Sequence, residues 1–461
     1  MTTVRKAHMS RLFGTDGVRA VANAVLTPEL MTALGRALGV HLSGETSTTR
    51  RVVVGRDPRP SSDLLEAAFL AGLCSTGTDA ITVGILPTAA VAHLTKHFGA
   101  VAGAVITASH NPLEDNGLKL FDHAGYKYSE ADERLIEGLV REGAAPQPPL
   151  QGRSVGRIRD HSRIAGEIYI SHLLTGIPDL NGMSITVDCA NGASAVVAPA
   201  AYRQAGATVI EIAGDISGNQ INCGVGATNP EYLRKSLTND ISSIGLSHDG
   251  DADRLIAVDE LGNIVDGADL LAIFAVDAHE QGQLPCNGLV TTPMTNGGLR
   301  TSLAERGIEV IEAPIGDRPV LRTMLAEGYA LGGEQNGHVI SLARATTGDG
   351  ILSGLLLLEI MHRSGKKLHE LTSVWCRQPQ QLVNIPVPDR QFLNRATGLN
   401  QLITEEREKV ARVDGRLTVR LSTIENVVRV MCEGSDDEIV KSVTARIVSD
   451  LHTRIYRESQ G

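Results

Sequence analysis

The sequence predicts an α/β protein with three similar α/β domains, each a mixed sheet flanked by helices, followed by a smaller α+β domain at the C-terminal end. Three observations support this prediction. At 461 residues the chain is too long for one ordinary hydrophobic core. Three segments repeat the pattern of a βαβ unit, in which two β-rich runs enclose a glycine-containing turn and a helix-like stretch. After about Trp375 the pattern changes.

The repeats can be followed in order along the chain. They are RVVVGRDPR (51–59), SSDLLEAAFLAGL and DAITVG (79–84); MSITVDCANG (183–192), a small-residue helix through Tyr202 and ATVIEIAG (207–214); and GLVTTPMTNGG (288–298) to GIEVIEAPIG (307–316). Their continuous apolar strands favour parallel strands covered on both faces. Beyond Trp375, alternation in QLVNIPVP, a helix-like 399–412, RLTVRLS, VVRVMCEG and a final helix indicate the smaller domain. The predicted boundaries are 11–155, 156–258, 259–373 and 374–461.

Composition excludes several classes of partner. The formal net charge is -10 and no Lys/Arg block is present, which argues against nucleic-acid binding because that function needs a basic face. The longest apolar stretch, around 355–358, ends at Glu359 and is too short to span a bilayer, so we expect no membrane partner. Six cysteines without paired spacing favour reduced core thiols over disulfides or a zinc site, and hence a cytoplasmic location.

The sharpest motif is TASHNP at 107–112, followed by NGLK at 116–119. The β-rich run VAGAVI delivers Ser109 into a tight His-Asn-Pro turn, and such a turn is expected to expose the serine hydroxyl. For an isolated SHNP, an ordinary Ser/Asn/Pro turn is an equal alternative.

The second motif is DGDADR at 249–254, in which three carboxylates alternate along a segment predicted to be extended. Asp249, Asp251 and Asp253 can then converge on one hard divalent cation, and oxygen-only ligands favour magnesium over zinc. An EF-hand is disfavoured because Arg254 occupies the position that demands glycine. A solvated acidic turn is the other alternative.

A third motif, GGEQNGH at 332–338, suits sugar hydroxyls. Its glycines free the backbone to approach a ligand, while Glu334, Asn336 and His338 offer several hydrogen-bonding groups. The alternative is a polar turn without a ligand.

Arginine-bearing loops form the remaining motifs. FGTDGVR (13–19) and GRDPR (55–59) present Arg19, Arg56 and Arg59, whose guanidinium groups suit phosphate oxygens, with surface ion pairing as the alternative. RLSTIENVVR at 420–429 indicates a turn near a helix start and an unspecific phosphate site.

Taken in this order, the motifs resemble the α-D-phosphohexomutase superfamily over nearly the whole chain from Arg11. RLFGTDGVRAVAN, TASHNPLEDNGLKLF and IGDRPV (315–320) are most similar to its bacterial phosphoglucosamine mutase branch. The resemblance implies four domains around a central cleft, for the phosphoserine, the metal, the sugar and the second phosphate in turn. It also implies a sugar phosphate as partner, a homodimer, and interconversion of glucosamine 6-phosphate and glucosamine 1-phosphate through a 1,6-bisphosphate.

The resemblance further implies residue roles. Ser109 carries the activating phosphoryl group and holds one Mg²⁺ together with Asp249, Asp251 and Asp253. Lys119 and His110 assist proton transfer, and Arg19 offsets charge. The implied substrate contacts are Arg254, Asp317, Arg318, Glu334, Asn336 and His338. The implied phosphate contacts are Arg420, Ser422, Thr423 and Arg429.

Some positions depart from the family pattern. The phosphate loop usually reads R-x-S-G-T-E-P, but its Gly, Thr and Pro are Thr423, Ile424 and Asn426 here, which removes a residue that tolerates close ligand approach. Three other departures are Asn336 for serine, Ala20 for glycine and Pro319 for tyrosine. Two alternatives therefore stay open: a phosphomutase for a different sugar phosphate in a specialised pathway, and a noncatalytic sugar-phosphate-binding paralogue.

Overall fold

The computed structural model describes residues 11–14, 16–44, 50–143, 149–237, 244–389, 391–396, 398–422 and 426–460. The described residues divide into two compact units. The first comprises Met1–Pro293 and Ile311–Val374, and the second comprises Met294–Val310 and Trp375–Gly461. Three sheets fall mainly in the first unit, and the fourth sheet lies in the second. Among the described residues, no helix combines the length and apolar character needed to cross a membrane.

The first sheet has six strands in the order β1-β5-β4-β2-β3-β6. They are β1 (Val18–Val21), β2 (Arg51–Arg56), β3 (Asp79–Ile85), β4 (Ala102–Ile106), β5 (Asp115–Asp122) and β6 (Ile158–Asp160). The associated helices are α1 (Pro28–His41), α2 (Pro60–Cys74), α3 (Thr88–His97), α4 (Glu130–Glu142) and α5 (Ser162–Leu173). The strands β2, β3, β4 and β6 run parallel, whereas β5 is antiparallel to β1 and β4. The parallel strands β2 and β4 are buried along nearly their whole length, as continuous apolar runs predict.

The second sheet has the order β11-β10-β9-β7-β8. Its strands are β7 (Ser184–Asp188), β8 (Thr208–Ile212), β9 (Ile244–Ser247), β10 (Ile256–Val258) and β11 (Ile264–Val265), with helices α6 (Ala198–Gln204) and α7 (Pro230–Ser236). Strand β7 is parallel to β8 and β9, and β10 returns antiparallel to β9. The DGDADR segment therefore connects two buried, antiparallel neighbours.

The third sheet has the order β13-β12-β14-β15. Its strands are β12 (Gly288–Thr291), β13 (Glu309–Glu312), β14 (Leu331–Gly333) and β15 (Val339–Ser341). The same stretch of chain forms helices α8 (Gly267–Glu280), α9 (Gly298–Ala304), α10 (Asp317–Glu327), α11 (Gly350–Ser364) and α12 (Leu368–Leu371). Val320 and Met324 of α10 pack on Val290 and Ile340 of the sheet. This packing fixes α10, whose first turn carries Asp317 and Arg318.

The fourth sheet is antiparallel and has the order β16-β18-β17. Its strands are β16 (Gln380–Pro386), β17 (Arg416–Leu421) and β18 (Val427–Glu433), and its helices are α13 (Phe392–Arg395), α14 (Leu399–Ala411) and α15 (Asp437–Gln460). The apolar side chains of Val410, Val443 and Ile447 bury Val428 and Val430 against one face of this sheet. This arrangement is the smaller α+β domain that the sequence predicted.

The predicted fold class is confirmed, but two local expectations were wrong. The described residues of the 420–429 segment complete β17 and begin β18, and they do not lie near a helix start. Only three of the six cysteines are core thiols, because Cys223, Cys286 and Cys376 are exposed, although all six are free.

Candidate active site

Ser109 lies in the loop that joins β4 to β5, with a positive φ of 52°. Its backbone is fastened on both sides: the N–H donates to Thr107 Oγ1 at 2.9 Å, and the carbonyl accepts from Arg59 Nη2 at 2.9 Å. Asn222 Nδ2 donates to the same carbonyl at 2.9 Å. The expectation of an exposed hydroxyl was wrong, because Ser109 is only 1% exposed.

The arginines of GRDPR have structural partners. Arg59 is fully buried and donates to Asp57 at 3.0 Å and to the carbonyl of Asn111 at 2.8 Å. Its guanidinium group therefore holds the backbone of the serine loop in place. Arg56 forms ion pairs with Asp63 at 2.5 Å and Glu66 at 3.1 Å. Arg56 pairs with the exposed carboxylate of Asp63, as the surface ion-pairing alternative expects, whereas the Arg59–Asp57 pair is fully buried.

The acidic triplet occupies a turn after β9 and is not extended as predicted, since Ala252 has a φ of 55°. The turn nevertheless brings the carboxylate oxygens of Asp249, Asp251 and Asp253 within 4.8 Å of one another. Ser109 Oγ donates to Asp249 Oδ2 at 2.6 Å across 140 residues of sequence. The predicted nucleophile and the predicted metal ligands therefore share one buried site.

The geometry of the triplet fits a hard divalent cation. Within the described part of the chain, the Oδ1 atom of each of the three aspartates is buried without a hydrogen-bond partner. Burial, reinforced by the charges of Asp253 and Asp251, raises the pKa of Asp249 to about 7. Orphaned anionic oxygens are costly in a protein interior, and a cation with oxygen ligands satisfies all three. The EF-hand alternative fails because the flanking segments are strands.

Lys119, in β5, neutralises part of this acidic cluster. Its Nζ lies 2.8 Å from Asp251 Oδ2, 2.9 Å from Asp253 Oδ2 and 3.1 Å from Asp16 Oδ2. Burial works to lower the pKa of Lys119, but the three carboxylates outweigh it and hold the pKa well above its usual range. Thr88 Oγ1 also donates to Asp251 at 2.5 Å. Asp16 and Thr88 were not predicted, although Asp16 stands in the FGTDGVR motif.

His110 lies beside the serine, and two arginines lie near His110. His110 Nδ1 lies 3.2 Å from Ser109 Oγ, and burial together with the charges of Arg254 and Arg19 lowers the pKa of His110 to about 3. Arg19 donates to Asn111 Oδ1 at 3.1 Å and pairs with Asp16. Arg254 Nε lies 3.9 Å from Asp253 Oδ1.

The GGEQNGH segment comprises the end of β14 and the turn that leads to β15. Glu334 Oε1 accepts from the N–H of Gly316 at 3.2 Å, and Asn336 Nδ2 donates to Glu334 Oε2 at 3.3 Å. His338 is buried, with Nδ1 3.6 Å from Asp253 Oδ2. Burial lowers the pKa of His338, but the carboxylates of Asp253 and Asp317 outweigh this effect and raise it. The structure thus brings His338 to the acidic cluster and leaves Asn336 exposed.

Asp317 and Arg318 begin α10 but point to different partners. Asp317 pairs with Lys127 and lies 4.0 Å from His338. Arg318 contacts both carboxylate oxygens of Glu133 in α4, so its charge is already paired. Sequence reasoning missed Lys127 and Glu133, because no motif marks either residue.

The 420–429 segment belongs to the second unit. Arg420 and Arg429 are directly opposed partners in β17 and β18, and burial together with the charge of Arg429 lowers the pKa of Arg420. Ser422 is buried, and its N–H donates to the carbonyl of Val427 at 2.7 Å. Thr423 lies outside the described residues. Guanidinium groups at opposed positions suit an anion, and the phosphate role of this segment stays a prediction.

Four domains of the phosphoglucomutase/phosphomannomutase family match the chain. The alpha/beta/alpha domains I, II and III match residues 10–147, 167–262 and 266–377, and the C-terminal domain matches 382–449. A phosphoglucosamine mutase of Pelotomaculum thermopropionicum is 45% identical over 442 residues, which cover 96% of this chain and 99% of that protein. A phosphoglucosamine mutase of Corynebacterium jeikeium is 44% identical over 445 residues, which cover 96% and 99% respectively.

Solved structures show the same fold. A phosphoglucomutase/phosphomannomutase family protein of Burkholderia thailandensis has a TM-score of 0.79 at 23% identity, covering 98% of each chain. An N-acetylphosphoglucosamine mutase of Aspergillus fumigatus, solved with GlcNAc-6P and magnesium, has a TM-score of 0.66 at 18% identity, covering 96% of each chain. At these identities the likeness supports the architecture alone.

Proposed function

This chain belongs to the phosphoglucomutase/phosphomannomutase family, and we propose that it interconverts glucosamine 6-phosphate and glucosamine 1-phosphate. Phosphoglucosamine mutases that match it along nearly their whole length support this substrate pair. The reaction is an isomerisation by phosphoryl transfer, and Ser109 is the residue proposed to carry the phosphoryl group.

One observation carries the proposal: the Ser109 hydroxyl lies 2.6 Å from the first of three converging aspartates. Phosphoryl transfer depends on positioning and on neutralising the charge of the phosphoryl oxygens, more than on covalent participation by many groups. A serine held by a rigid loop next to a cation site meets both needs. The three orphaned Oδ1 atoms and Ser109 Oγ would hold Mg²⁺.

The proposed reaction has two transfers. In the first, the phosphoryl group leaves Ser109 Oγ for the 1-hydroxyl of glucosamine 6-phosphate, which gives the 1,6-bisphosphate and a free serine. In the second, Ser109 Oγ accepts the 6-phosphoryl group, which leaves glucosamine 1-phosphate and restores the phosphoserine. Between the transfers the intermediate must turn over, because one serine serves both ends.

The residues around Ser109 have distinct proposed tasks. His110 Nδ1, at 3.2 Å, is within reach of the proton that the serine hydroxyl releases and regains. Lys119 and Arg19 contribute positive charge beside the transferring group. When bound, Mg²⁺ supplies further positive charge that stabilises the phosphoryl oxygens in transfer.

Sugar recognition is assigned to the turn between β14 and β15. Glu334 is fixed by the Gly316 N–H and by Asn336, so its carboxylate is oriented before a sugar arrives. Asn336, where the family has serine, supports Glu334 with an amide donor. This contact is compatible with the family's sugar-binding role for Glu334.

The test combines intact-protein mass with a coupled assay. We expect the purified protein to carry a partial mass increase of one phosphate, and to convert glucosamine 6-phosphate with Mg²⁺ and a trace of 1,6-bisphosphate. Ser109→Ala should abolish both signals, because it removes the hydroxyl that donates to Asp249. Ser171→Ala, on the exposed side of α5, is the matched control and should keep both.

A panel of hexose, hexosamine and pentose phosphates tests the substrate. Glucosamine 6-phosphate should be converted with the highest kcat/KM. Faster conversion of another sugar phosphate would contradict the proposed substrate but keep the chemistry. Full activity in Ser109→Ala would contradict the chemistry itself.

A further inference from the structure

We propose that Lys127 is a positioning residue, which couples the phosphoryl-transfer cluster around Lys119 to the sugar-facing start of α10. The inference rests on the proposed function and adds a residue to it. Lys127 lies just beyond β5, outside the motifs that carry the other site residues, and its side chain is only 4% exposed. Buried lysines are rare, and a lysine is retained in an interior only where acidic partners offset its charge.

Lys127 belongs to a closed ring in which acidic and basic side chains alternate. The ring members come from the first three sheets and the segments beside them: Lys119, Asp16, Lys127, Asp317, His338 and Asp253. The distances around the ring are 3.1 Å from Lys119 to Asp16, 2.5 Å from Asp16 to Lys127, 4.0 Å from Asp317 to His338, 3.6 Å from His338 to Asp253 and 2.9 Å from Asp253 to Lys119. Lys127 contacts Asp317 directly.

On one side, Lys127 fixes the carboxylate of Asp16. Lys127 Nζ donates to Asp16 Oδ1, whereas Lys119 and Arg19 contact Asp16 Oδ2. With both oxygens held, the carboxylate cannot rotate, so Lys119 keeps its place beside Asp251 and Asp253, and Arg19 keeps its contact with Asn111 in the serine loop. Without Lys127, Asp16 Oδ1 loses this partner. The Asp16 carboxylate can then move, and it no longer holds Lys119 in position. This side of the contact should control kcat.

On the other side, Lys127 neutralises Asp317. Asp317 adjoins Gly316, whose N–H orients Glu334, and it lies beside His338. If Lys127 is removed, the largely buried carboxylate of Asp317, which is 12% exposed, is left without its ammonium partner next to the site of an anionic sugar phosphate. Repulsion between these like charges should weaken substrate binding. This side of the contact should control KM.

The experiment is a double-mutant cycle with glucosamine 6-phosphate as substrate. We expect Lys127→Met to lower kcat and to raise KM, each on the order of tenfold. A tenfold change is the size expected when one ion-pair contact is lost on each side of Lys127. Adding Asp317→Asn removes the unbalanced carboxylate. The double variant should therefore recover the KM of Asp317→Asn while its kcat stays low. Lys127→Arg keeps the charge and should retain more kcat than Lys127→Met.

Lys96→Met in α3 is the matched control, because Lys96 is exposed and should leave both constants unchanged. Constants for Lys127→Met equal to those of the control would overturn the inference. So would a KM that stays high in the double variant, since a purely structural lysine predicts that result. If Lys127→Met fails to fold, the double variant is compared with Asp317→Asn, and equal kcat values overturn the inference. An inactive wild-type protein would instead refute the proposed function.

Discussion

Gly250 stands between two carboxylates of the acidic turn, where the turn passes closest to the serine loop. A Cβ at this position would lie 2.5 Å from the carbonyl oxygen of Ser109, which is backbone and cannot move aside cheaply. In Gly250→Ala the two loops must therefore separate by up to about 1 Å, and a misplacement of that size costs roughly a hundredfold in rate. We expect kcat/KM to fall by about ten- to a hundredfold, as measured in the coupled assay.

The control for this change is Gly138→Ala in α4. A Cβ at Gly138 meets nothing within 4 Å, and the glycine lies inside a helix, where alanine is favoured by about 0.5–1 kcal/mol. This variant should keep full activity and unfold at slightly higher denaturant concentration. Wild-type activity in Gly250→Ala would mean that the close approach of the two loops is dispensable.

At the residue scale, the sequence predicted which motif side chains lie together better than it predicted their partners. The grouping of Ser109, Lys119 and the three aspartates could be predicted because each stands in a short motif whose chemistry needs that residue type. Their roles in catalysis stay a prediction. Arg59 could not be assigned correctly, because its guanidinium group suits a phosphate and a ring of backbone carbonyls equally well. Lys127 carries no local signal, and its role depends on acids that lie 111 and 190 residues away in sequence.

At the start of α11, the carboxyl group of the capping residue Asp349 should make the stability of the protein depend on pH. Asp349 caps this helix by accepting from the N–H of Leu352 at 2.9 Å, and it accepts from Tyr169 Oη at 2.7 Å. Burial raises the pKa of Asp349 to about 6 despite these hydrogen bonds. Because the pKa is raised in the folded protein, the protonated carboxyl of Asp349 contributes to the free energy of unfolding. This contribution is fully present below the unfolded pKa of 3.8 and is lost as the pH rises through about 6.

For this reason, Asp349→Asn should change the pH profile of stability. Between pH 5 and 8 the wild-type protein should lose about 1.4 kcal/mol of unfolding free energy through this carboxyl, and the amide variant should not. Urea unfolding of both proteins at several pH values, followed by circular dichroism, measures the difference. Parallel profiles for the two proteins would show that Asp349 does not titrate in this range.

At the element scale, periodicity predicted strands and helices well, while the connections were less predictable. Apolar runs gave β2, β7 and β12, and the helix-like 399–412 corresponds to α14. The acidic turn was misjudged as extended because alternating aspartates look like a strand, and nothing in the sequence reveals the positive φ of Ala252. For the 420–429 segment a helix start was expected, whereas its described residues complete β17 and begin β18.

Within the first unit, an ion pair joins α10 to α4. Arg318 contacts both oxygens of Glu133, whose side chain is 1% exposed, while that of Arg318 is 15% exposed. The four-domain architecture could be predicted from repeats and motifs. This attachment could not, because the two partners lie 185 residues apart and neither stands out among the many surface charges of the sequence.

Breaking that pair should destabilise the first unit as a whole. In Glu133→Gln the charge of Arg318 stays largely buried without its counter-ion, and removing one partner of a buried pair typically costs about 3–5 kcal/mol. Glu130→Gln, in the same helix but on its exposed surface, should cost less than about 1 kcal/mol because surface ion pairs contribute little. Urea unfolding of both variants measures the difference between their free energies of unfolding.

Combining Glu133→Gln with Arg318→Met should recover part of the lost stability, since no buried charge is then left unbalanced. Equal costs for Glu133→Gln and Glu130→Gln would show that the attachment between α4 and α10 rests on other contacts.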